Sequence, residues 1–200
     1  MTPQADDKSG GGGELAEAEI KLALTAAEHA QLPARLEALA FRFDGEETLT
    51  DYYLEYARSP YGGSWDFTRL RRRDGARYLL TKKRWASGTG AQPVRLEDET
   101  AVDADTAGKM LDAATAPPTL TKRRQTYKGR IADRDASIAL DQLQLGDATR
   151  YFLECEVMTS AEDAAAVRET LKAWVRAQLC IAATEEAPSM LDQLLRHAAG

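Results

Sequence analysis

Charged and apolar residues alternate one by one over residues 17–22. Glu17, Glu19 and Lys21 fall on the odd positions, and alanine, isoleucine and leucine fill the even ones. Because successive side chains of a β-strand point to opposite faces, this pattern predicts a strand with one charged face and one apolar face. Three ionised groups in a row cannot be buried without partners, so the charged face must meet water, a metal ion or a ligand.

The same alternation returns in later segments, where tyrosine, threonine and arginine are frequent. Helical spacing of apolar residues, bounded by caps and prolines, separates some of these strands. The strands are expected near residues 16–24, 48–56, 66–73, 77–84, 94–99, 120–128, 136–142 and 153–157. Helices are expected near residues 26–40 and 103–116, from about 163 to 183, and after Pro188.

When the charged face of every predicted strand is collected, acids and bases are nearly equal in number. The acids are Glu17, Glu19, Glu97, Glu99, Asp141, Glu154 and Glu156. The bases are Lys21, Arg69, Arg71, Arg73, Lys83, Arg95, Lys122 and Arg124. A closed antiparallel barrel with a charged lumen and an apolar exterior covered by helices accounts for this pattern, which predicts an α+β fold.

Length and charge limit the classes of partner. The chain has 200 residues and a net charge of −6, which fits one domain and argues against a general nucleic-acid or membrane binder. Residues 1–13 are polar and end in four glycines, so we expect a flexible tail followed by a single domain over residues 14–200. The sequence has no apolar run long enough for a transmembrane helix and no evident signal peptide, so a cytoplasmic location is expected.

The mixed charges of the predicted lumen suit a polyanion that arrives with a divalent cation. Arginine makes bidentate contacts to phosphate oxygens, and lysine adds point charges. Carboxylates alone would repel phosphate, but they become useful when Mg²⁺ or Mn²⁺ lies between them and the phosphates. The sequence therefore predicts a small-molecule triphosphate and a hard divalent metal as the ligands of the lumen.

Short motifs in the predicted strands resemble the CYTH superfamily of triphosphate tunnel metalloenzymes, which includes thiamine triphosphatases, inorganic triphosphatases and class IV adenylyl cyclases. The first strand is similar to the ExExK signature of that family, and other motifs follow in order along the chain. They are Glu17-Ala18-Glu19-Ile20-Lys21, Asp51-Tyr52-Tyr53, Arg69-Leu70-Arg71-Arg72-Arg73, Leu80-Thr81-Lys82-Lys83, Arg95-Leu96-Glu97-Asp98-Glu99, Lys122-Arg123-Arg124, Leu140-Asp141 and Glu154-Cys155-Glu156. The resemblance implies an eight-stranded antiparallel tunnel.

The resemblance also implies roles for the charged residues. The seven acids would bind Mg²⁺ or Mn²⁺, and the bases other than Lys21 would bind the triphosphate. Lys21, together with Tyr52 or Tyr53, would position or deprotonate the attacking water. The sequence leaves open which tyrosine acts, and which two of Arg69, Arg71 and Arg73 form the pair of the family motif.

Hydrolysis of a triphosphate is the expected reaction, and two alternatives remain beside it. An adenylyl cyclase would make cyclic AMP and pyrophosphate from ATP. Class IV cyclases tend to carry His-Phe six residues before the first glutamate, where this chain has Gly11-Gly12, and this difference disfavours a cyclase. The second alternative is a non-catalytic module that binds polyphosphate or nucleotide. The oligomeric state stays open, with a homodimer as one of the choices.

Overall fold

The computed structural model describes residues 15–58, 65–86, 94–183 and 186–198. The predicted tail at residues 1–13 lies outside these ranges. The described residues form eight strands and four helices. The strands are β1 (Leu15–Leu24), β2 (Arg42–Arg58), β3 (Trp65–Arg73), β4 (Arg77–Ala86), β5 (Val94–Val102), β6 (Thr119–Ile131), β7 (Arg134–Leu145) and β8 (Ala148–Ser160). The helices are α1 (Ala26–Ala38), α2 (Ala104–Ala113), α3 (Ala164–Leu179) and α4 (Met190–Ala198).

The strands close into a barrel in the order β1-β5-β4-β3-β2-β6-β7-β8, with β8 returning to β1. Every neighbouring pair is antiparallel. The prediction of an α+β antiparallel barrel with flanking helices is thus confirmed. The strands are longer than expected at several ends. Strand β2 begins at Arg42 rather than near Thr48, because no residue between 42 and 48 is buried and a bulge after Phe43 interrupts the alternation.

Local sequence signals explain several boundaries of these elements. Thr25 caps α1 through a capping box, since its hydroxyl accepts from the amide of Glu28 while the Glu28 carboxylate accepts from the amide of Thr25. Asp103 caps α2 by accepting from the amide of Thr106 at 2.9 Å. Asp74 and Gly75 both have positive φ in the tight turn between β3 and β4, a conformation that aspartate and glycine adopt more readily than most residues.

An apolar layer covers the outside of the barrel along β1 and β6–β8. The even positions of β1, including Ile20, pack there against Leu32 and Leu36 of α1 and Leu171 and Val175 of α3. Gly129 of β6 belongs to the same layer, because a Cβ atom at that position would lie 2.6 Å from the ring of Phe41. This packing fixes which face of each strand is left for the lumen.

A second apolar cluster fills one end of the lumen, and we call it the apolar plug. It joins lumen-facing residues of five strands to α4, and the chain before α4 is tied to β1 by a hydrogen bond from the amide of Ala187 to the carbonyl of Lys21 at 2.9 Å. The plug consists of Tyr53, Leu120, Leu143, Leu145, Phe152, Met190 and Leu191, with Trp65 and Phe67 packed against it. None of the helices in the described part of the chain has the length and apolar character needed to span a bilayer.

Candidate active site

The middle of the lumen holds a cavity of about 100 Å³ whose walls carry charges of both signs. We call these charged residues the charged belt. They are Glu17, Glu19, Lys21, Arg69, Arg71, Lys83, Glu97, Lys122, Arg124, Glu154 and Glu156. All eleven were predicted from strand alternation to share the lumen, and the structure brings them together around one cavity.

Lys83 is the centre of an acidic cluster in the belt. Its Nζ lies 2.7 Å from Glu17, 3.3 Å from Glu19 and 2.7 Å from Glu97. Burial raises the pKa of Glu17 to about 8, because the attraction of Lys83 does not outweigh desolvation and the repulsion from Glu19 and Glu97. Glu17 therefore carries a proton for much of the time at neutral pH.

Glu154 is the centre of a second cluster, in which the bases outnumber the acids. Its carboxylate lies 2.6 Å from Nζ of Lys21 and also pairs with Arg124. Burial alone would raise the pKa of Glu154, but the neighbouring Arg124, Lys122 and Lys21 hold that pKa well below its usual range. The Glu154 carboxylate is thus permanently charged and holds Lys21 in the lumen.

Two buried aspartates hold the bases of the belt in place. Asp51 receives bonds from Arg71 at 2.7 and 2.9 Å and from Arg69 at 3.4 Å. Asp141 receives bonds from Lys122 at 2.6 Å and from Arg124 at 2.6 and 2.7 Å. Bidentate pairing of this kind fixes a guanidinium plane as well as its position. Two bases on one side of the belt and two on the other are therefore pre-oriented.

Burial alone would raise the pKa of each aspartate, but the bases bound to it keep that pKa below its ordinary value. Asp51 is a lumen residue that the charge pattern missed, although it shares the parity of Tyr53. Asp141 was predicted as a metal ligand. The structure places it beneath the belt, outside the cavity lining, with both of its oxygens occupied by bases. This position fits a residue that orients bases.

Two further predicted residues, Arg73 and Glu99, are not among the described residues that line the cavity. Arg73 forms a bidentate pair with Glu47 at 2.6 and 2.9 Å, on the same face but farther along the barrel. Glu99 accepts a hydrogen bond from the hydroxyl of Thr81 at 3.0 Å. Arg95 lies opposite Glu17 in the β1–β5 ladder, but its side chain is outside the described part of the structure. Arg69 and Arg71 are consequently the pair of the arginine strand that reaches the cavity.

The structure also separates the two candidate tyrosines. Tyr53 lines the cavity, is 2% exposed and packs edge-on against Phe67 with ring centroids 5.4 Å apart. Tyr52 has the opposite strand parity and is not among the lining residues. Burial and the nearby Asp51 charge raise the pKa of Tyr53, so its phenol stays protonated and can act as a hydrogen-bond donor.

Residues of the α4 end also reach the cavity, and the charge pattern gave no signal for them. Ser189, Met190 and Leu191 line it together with Phe67. An apolar lumen residue looks like any core residue in the sequence, so these positions could be found only once the barrel and α4 were assembled. They close the cavity on the side of the plug.

The carboxylates of the belt are the oxygen donors that a hard divalent cation prefers. Glu156 faces the lumen, and its side chain makes no hydrogen bond or ion pair with any other described residue, so its carboxylate oxygens are available to a cation. No group of three acids within the described ranges forms a ready-made metal cluster. The donor chemistry therefore fits a metal that binds together with a ligand which draws the bases away from the acids.

A comparison with protein families gives a match to the CYTH domain over residues 15–180, which is most of the chain. The chain belongs to the CYTH domain family. Enzymes of this family are triphosphatases or cyclases, and they depend on metal ions. The match includes all eight strands and ends at Cys180, before α4. A comparison with curated proteins gives no match.

Solved structures share the fold of this CYTH domain at low sequence identity. The PH1012 protein of Pyrococcus horikoshii is 20% identical, with a TM-score of 0.62, and the match covers 89% of this chain and 98% of that one. HpAC1 from Hippeastrum, named as a candidate adenylyl cyclase with a dominant triphosphatase activity, is 19% identical with a TM-score of 0.59, covering 90% and 95%. A candidate adenylate cyclase of Bacillus halodurans is 15% identical with a TM-score of 0.60, covering 91% and 98%.

Proposed function

We propose that this CYTH protein is a metal-dependent triphosphatase that hydrolyses a small triphosphate in the charged belt. The observation that carries the proposal is that, among the described residues, five bases other than Lys21 and five carboxylates line one cavity of the lumen. A site for phosphate alone would gain nothing from five carboxylates, since they repel it. A site for a triphosphate bound with divalent cation uses both sets.

The ion pairs of the belt support an exchange of partners upon binding. The cavity of about 100 Å³ is filled from its walls by pairs such as Lys83 with Glu17 and Arg124 with Glu154. Phosphate oxygens compete for the arginines and lysines, and each base they take leaves a carboxylate uncompensated. A buried unpaired carboxylate is costly, so the freed acids favour a divalent cation.

Each belt residue then has a role that follows from its position. Arg69, Arg71, Lys122 and Arg124, oriented by the two aspartates, hold phosphate oxygens and spread the charge of the transition state. Lys21, held by Glu154, positions the attacking water. When bound, Mg²⁺ or Mn²⁺ neutralises phosphate charge and orients the phosphates for in-line attack.

The name of the Hippeastrum neighbour, a candidate cyclase with a dominant triphosphatase activity, is consistent with hydrolysis in this fold. Cyclisation of ATP is the competing reaction, and it needs the ribose 3′-hydroxyl held in line with the α-phosphorus. Tripolyphosphate has no ribose, so it separates the two reactions. A protein that hydrolyses tripolyphosphate needs only the belt and its metal.

The test is to incubate the protein with tripolyphosphate and, separately, with ATP, in Mg²⁺ and in Mn²⁺, and to assay orthophosphate, pyrophosphate and cyclic AMP. We expect orthophosphate from tripolyphosphate and no cyclic AMP from ATP. Cyclic AMP with an equal amount of pyrophosphate would identify a cyclase instead. Tight binding of triphosphates without any product would identify a binding module.

A further inference from the structure

The two ends of the lumen differ, and the end opposite the apolar plug opens into a recess of about 1030 Å³. The recess lies beyond the charged belt, against the start of β2, the end of β6, the start of β7 and the end of β8. We call it the basic mouth. Its charged lining residues are Arg42, Lys128, Arg130, Arg134, Asp135 and Glu156.

The bases of the mouth lack the carboxylate partners that the bases of the belt have. The side chains of Arg42 and Lys128 make no hydrogen bond or ion pair with any described residue, although the two residues are neighbours in the β2–β6 ladder. Arg130 donates to the backbone carbonyl of Asp133, and Arg134 donates to the hydroxyl of Thr159 at 3.3 Å. Among the lining residues that the structure describes, four bases thus face two carboxylates, and the bases have N–H donors to offer to an anion.

The mouth continues the phosphate-binding face of the belt. Lys128 and Arg130 have the same strand parity as Lys122 and Arg124, so all four project from the lumen face of β6. From Arg124 to Lys128 the strand advances about 13 Å at its usual rise per residue. Glu156 lines both the belt cavity and the mouth, so the two spaces adjoin.

We propose that the basic mouth binds the outer phosphates of a linear inorganic polyphosphate longer than the triphosphate held in the belt. This inference rests on the proposed function, since the belt must hold the inner phosphates. A flexible polyanion follows the row of bases on β6 from one space into the other. The excess of bases over acids in the mouth favours such an anion over a neutral group.

A nucleoside suits the mouth less well than further phosphates do. No aromatic residue occurs among the described residues that line it, so a base would have no ring to stack on. Its larger apolar side chains are Leu39 and Met158, and Met158 is 58% exposed. The chemistry of the lining is that of guanidinium and ammonium groups, which recognise phosphate oxygens.

The experiment measures binding in a chelator, where no turnover occurs. Tripolyphosphate, tetrapolyphosphate, a longer polyphosphate and ATP are titrated calorimetrically into the wild-type protein and into a Lys128→Gln, Arg130→Gln double variant. The control is Arg123→Gln, because Arg123 lies on the same strand but faces outward, where it pairs with Glu46 at 2.7 Å. All measurements are repeated at two salt concentrations.

We expect the longer chains to bind the wild-type protein at least about tenfold more tightly than tripolyphosphate does, because their outer phosphates make additional charge-assisted hydrogen bonds with the bases of the mouth. The double variant should lose this gain and keep its affinity for tripolyphosphate within about twofold, and Arg123→Gln should behave as wild type. Equal affinity for all chain lengths, an equal loss in Arg123→Gln, or an equal loss for tripolyphosphate would overturn the assignment. A gain for ATP alone that the double variant loses would also overturn it and assign the mouth to a nucleoside.

Hydrolysis of tripolyphosphate by the same proteins with Mg²⁺ separates this inference from the proposed function. If longer chains bind more tightly and the double variant loses this gain, the assignment of the basic mouth to polyphosphate is supported. Absence of tripolyphosphate hydrolysis alongside that result would refute only the triphosphatase activity. Hydrolysis with no dependence on chain length would refute only the mouth.

Discussion

Asp51 and Arg71 form a bidentate ion pair inside the barrel, with Nε to Oδ1 at 2.7 Å and Nη2 to Oδ2 at 2.9 Å. Asp51 is 1% exposed, so neither group can exchange its partner for water without moving. The pair joins neighbouring strands β2 and β3 directly across the ladder. It therefore serves the stability of the barrel and the orientation of a phosphate-binding arginine together.

Replacement of Asp51 by asparagine should destabilise the protein by about 3 kcal/mol or more, because it leaves the buried Arg71 charge uncompensated. Thermal or urea unfolding of the metal-free protein measures this effect. The control is Asp74→Asn, which removes the exposed pair with Arg77 and should cost less than about 1 kcal/mol. Equal effects of the two variants would show that the Asp51 pair contributes no more than a surface pair.

Replacement of Lys21 by methionine should lower kcat for tripolyphosphate by about a hundredfold or more, because a positioned proton-transfer or water-orienting group is lost. The Kd for tripolyphosphate should change only a few-fold, since other bases hold the phosphates. Lys82→Met is the matched control, because Lys82 is exposed on the outer face of β4. A wild-type kcat in Lys21→Met would refute the role of Lys21 in the reaction.

The stability of the metal-free protein should depend on pH through Glu17, whose pKa rises from 4.5 to about 8 on folding. A folded state that binds this proton more tightly loses stability as pH rises from about 5 to 8. Glu17→Gln removes that loss, so its unfolding free energy relative to wild type should increase by roughly 2 kcal/mol between pH 6 and pH 8. The difference between the two proteins cancels the opposite contribution of Lys122, whose pKa falls to about 8.

Urea unfolding of both proteins at closely spaced pH values, with chelator present, checks this prediction. The wild-type curve should fall faster over the interval than the Glu17→Gln curve. Parallel curves would mean that Glu17 titrates near its ordinary pKa and is charged at neutral pH.

Replacement of Glu156 by glutamine should raise the Mg²⁺ or Mn²⁺ concentration needed for half-maximal activity by about tenfold, because a charged oxygen ligand is lost. The melting temperature without metal should not fall, since the Glu156 side chain has no hydrogen bond or ion pair among the described residues and its charge repels that of Glu17. Glu162→Gln, at an exposed position before α3, is the control. An unchanged metal requirement in Glu156→Gln would remove Glu156 from the metal site.

Strand alternation was enough to predict much of the barrel and of the belt. When one face of a strand is apolar and packs against helices, the charged residues of the other face must line the lumen. Glu19, Lys83 and Arg124 could therefore be assigned to the lumen from the sequence alone. The closure of the barrel follows from the same pattern, because eight such strands leave the charged faces only one common side.

The pairings within the lumen could not be predicted in the same way, because they depend on the stagger of strands across the barrel. Asp51 has the strand parity of the lumen, but its pairing with Arg71 could not be seen in the sequence. Asp141 was assigned to metal although its oxygens bind Lys122 and Arg124. The plug was hidden for another reason. Phe67 and Leu120 face the lumen but have ordinary core chemistry, and α4 must be docked before their side of the barrel is seen to be closed.

The uneven cover on the outside of the barrel gives its two walls different mechanical properties. Helices α1 and α3 pack on β1 and β8, whereas β3 and β5 carry little helical cover among the described residues, and α2 touches β4 only lightly. The ion pairs of the belt must separate when a triphosphate enters, and the wall with fewer packed side chains is the one that moves at lower free energy. Amide hydrogen exchange should therefore be faster in β3–β5 than in β1 and β8. Tripolyphosphate should slow the exchange in β3 and β4, because these strands carry Arg69, Arg71 and Lys83.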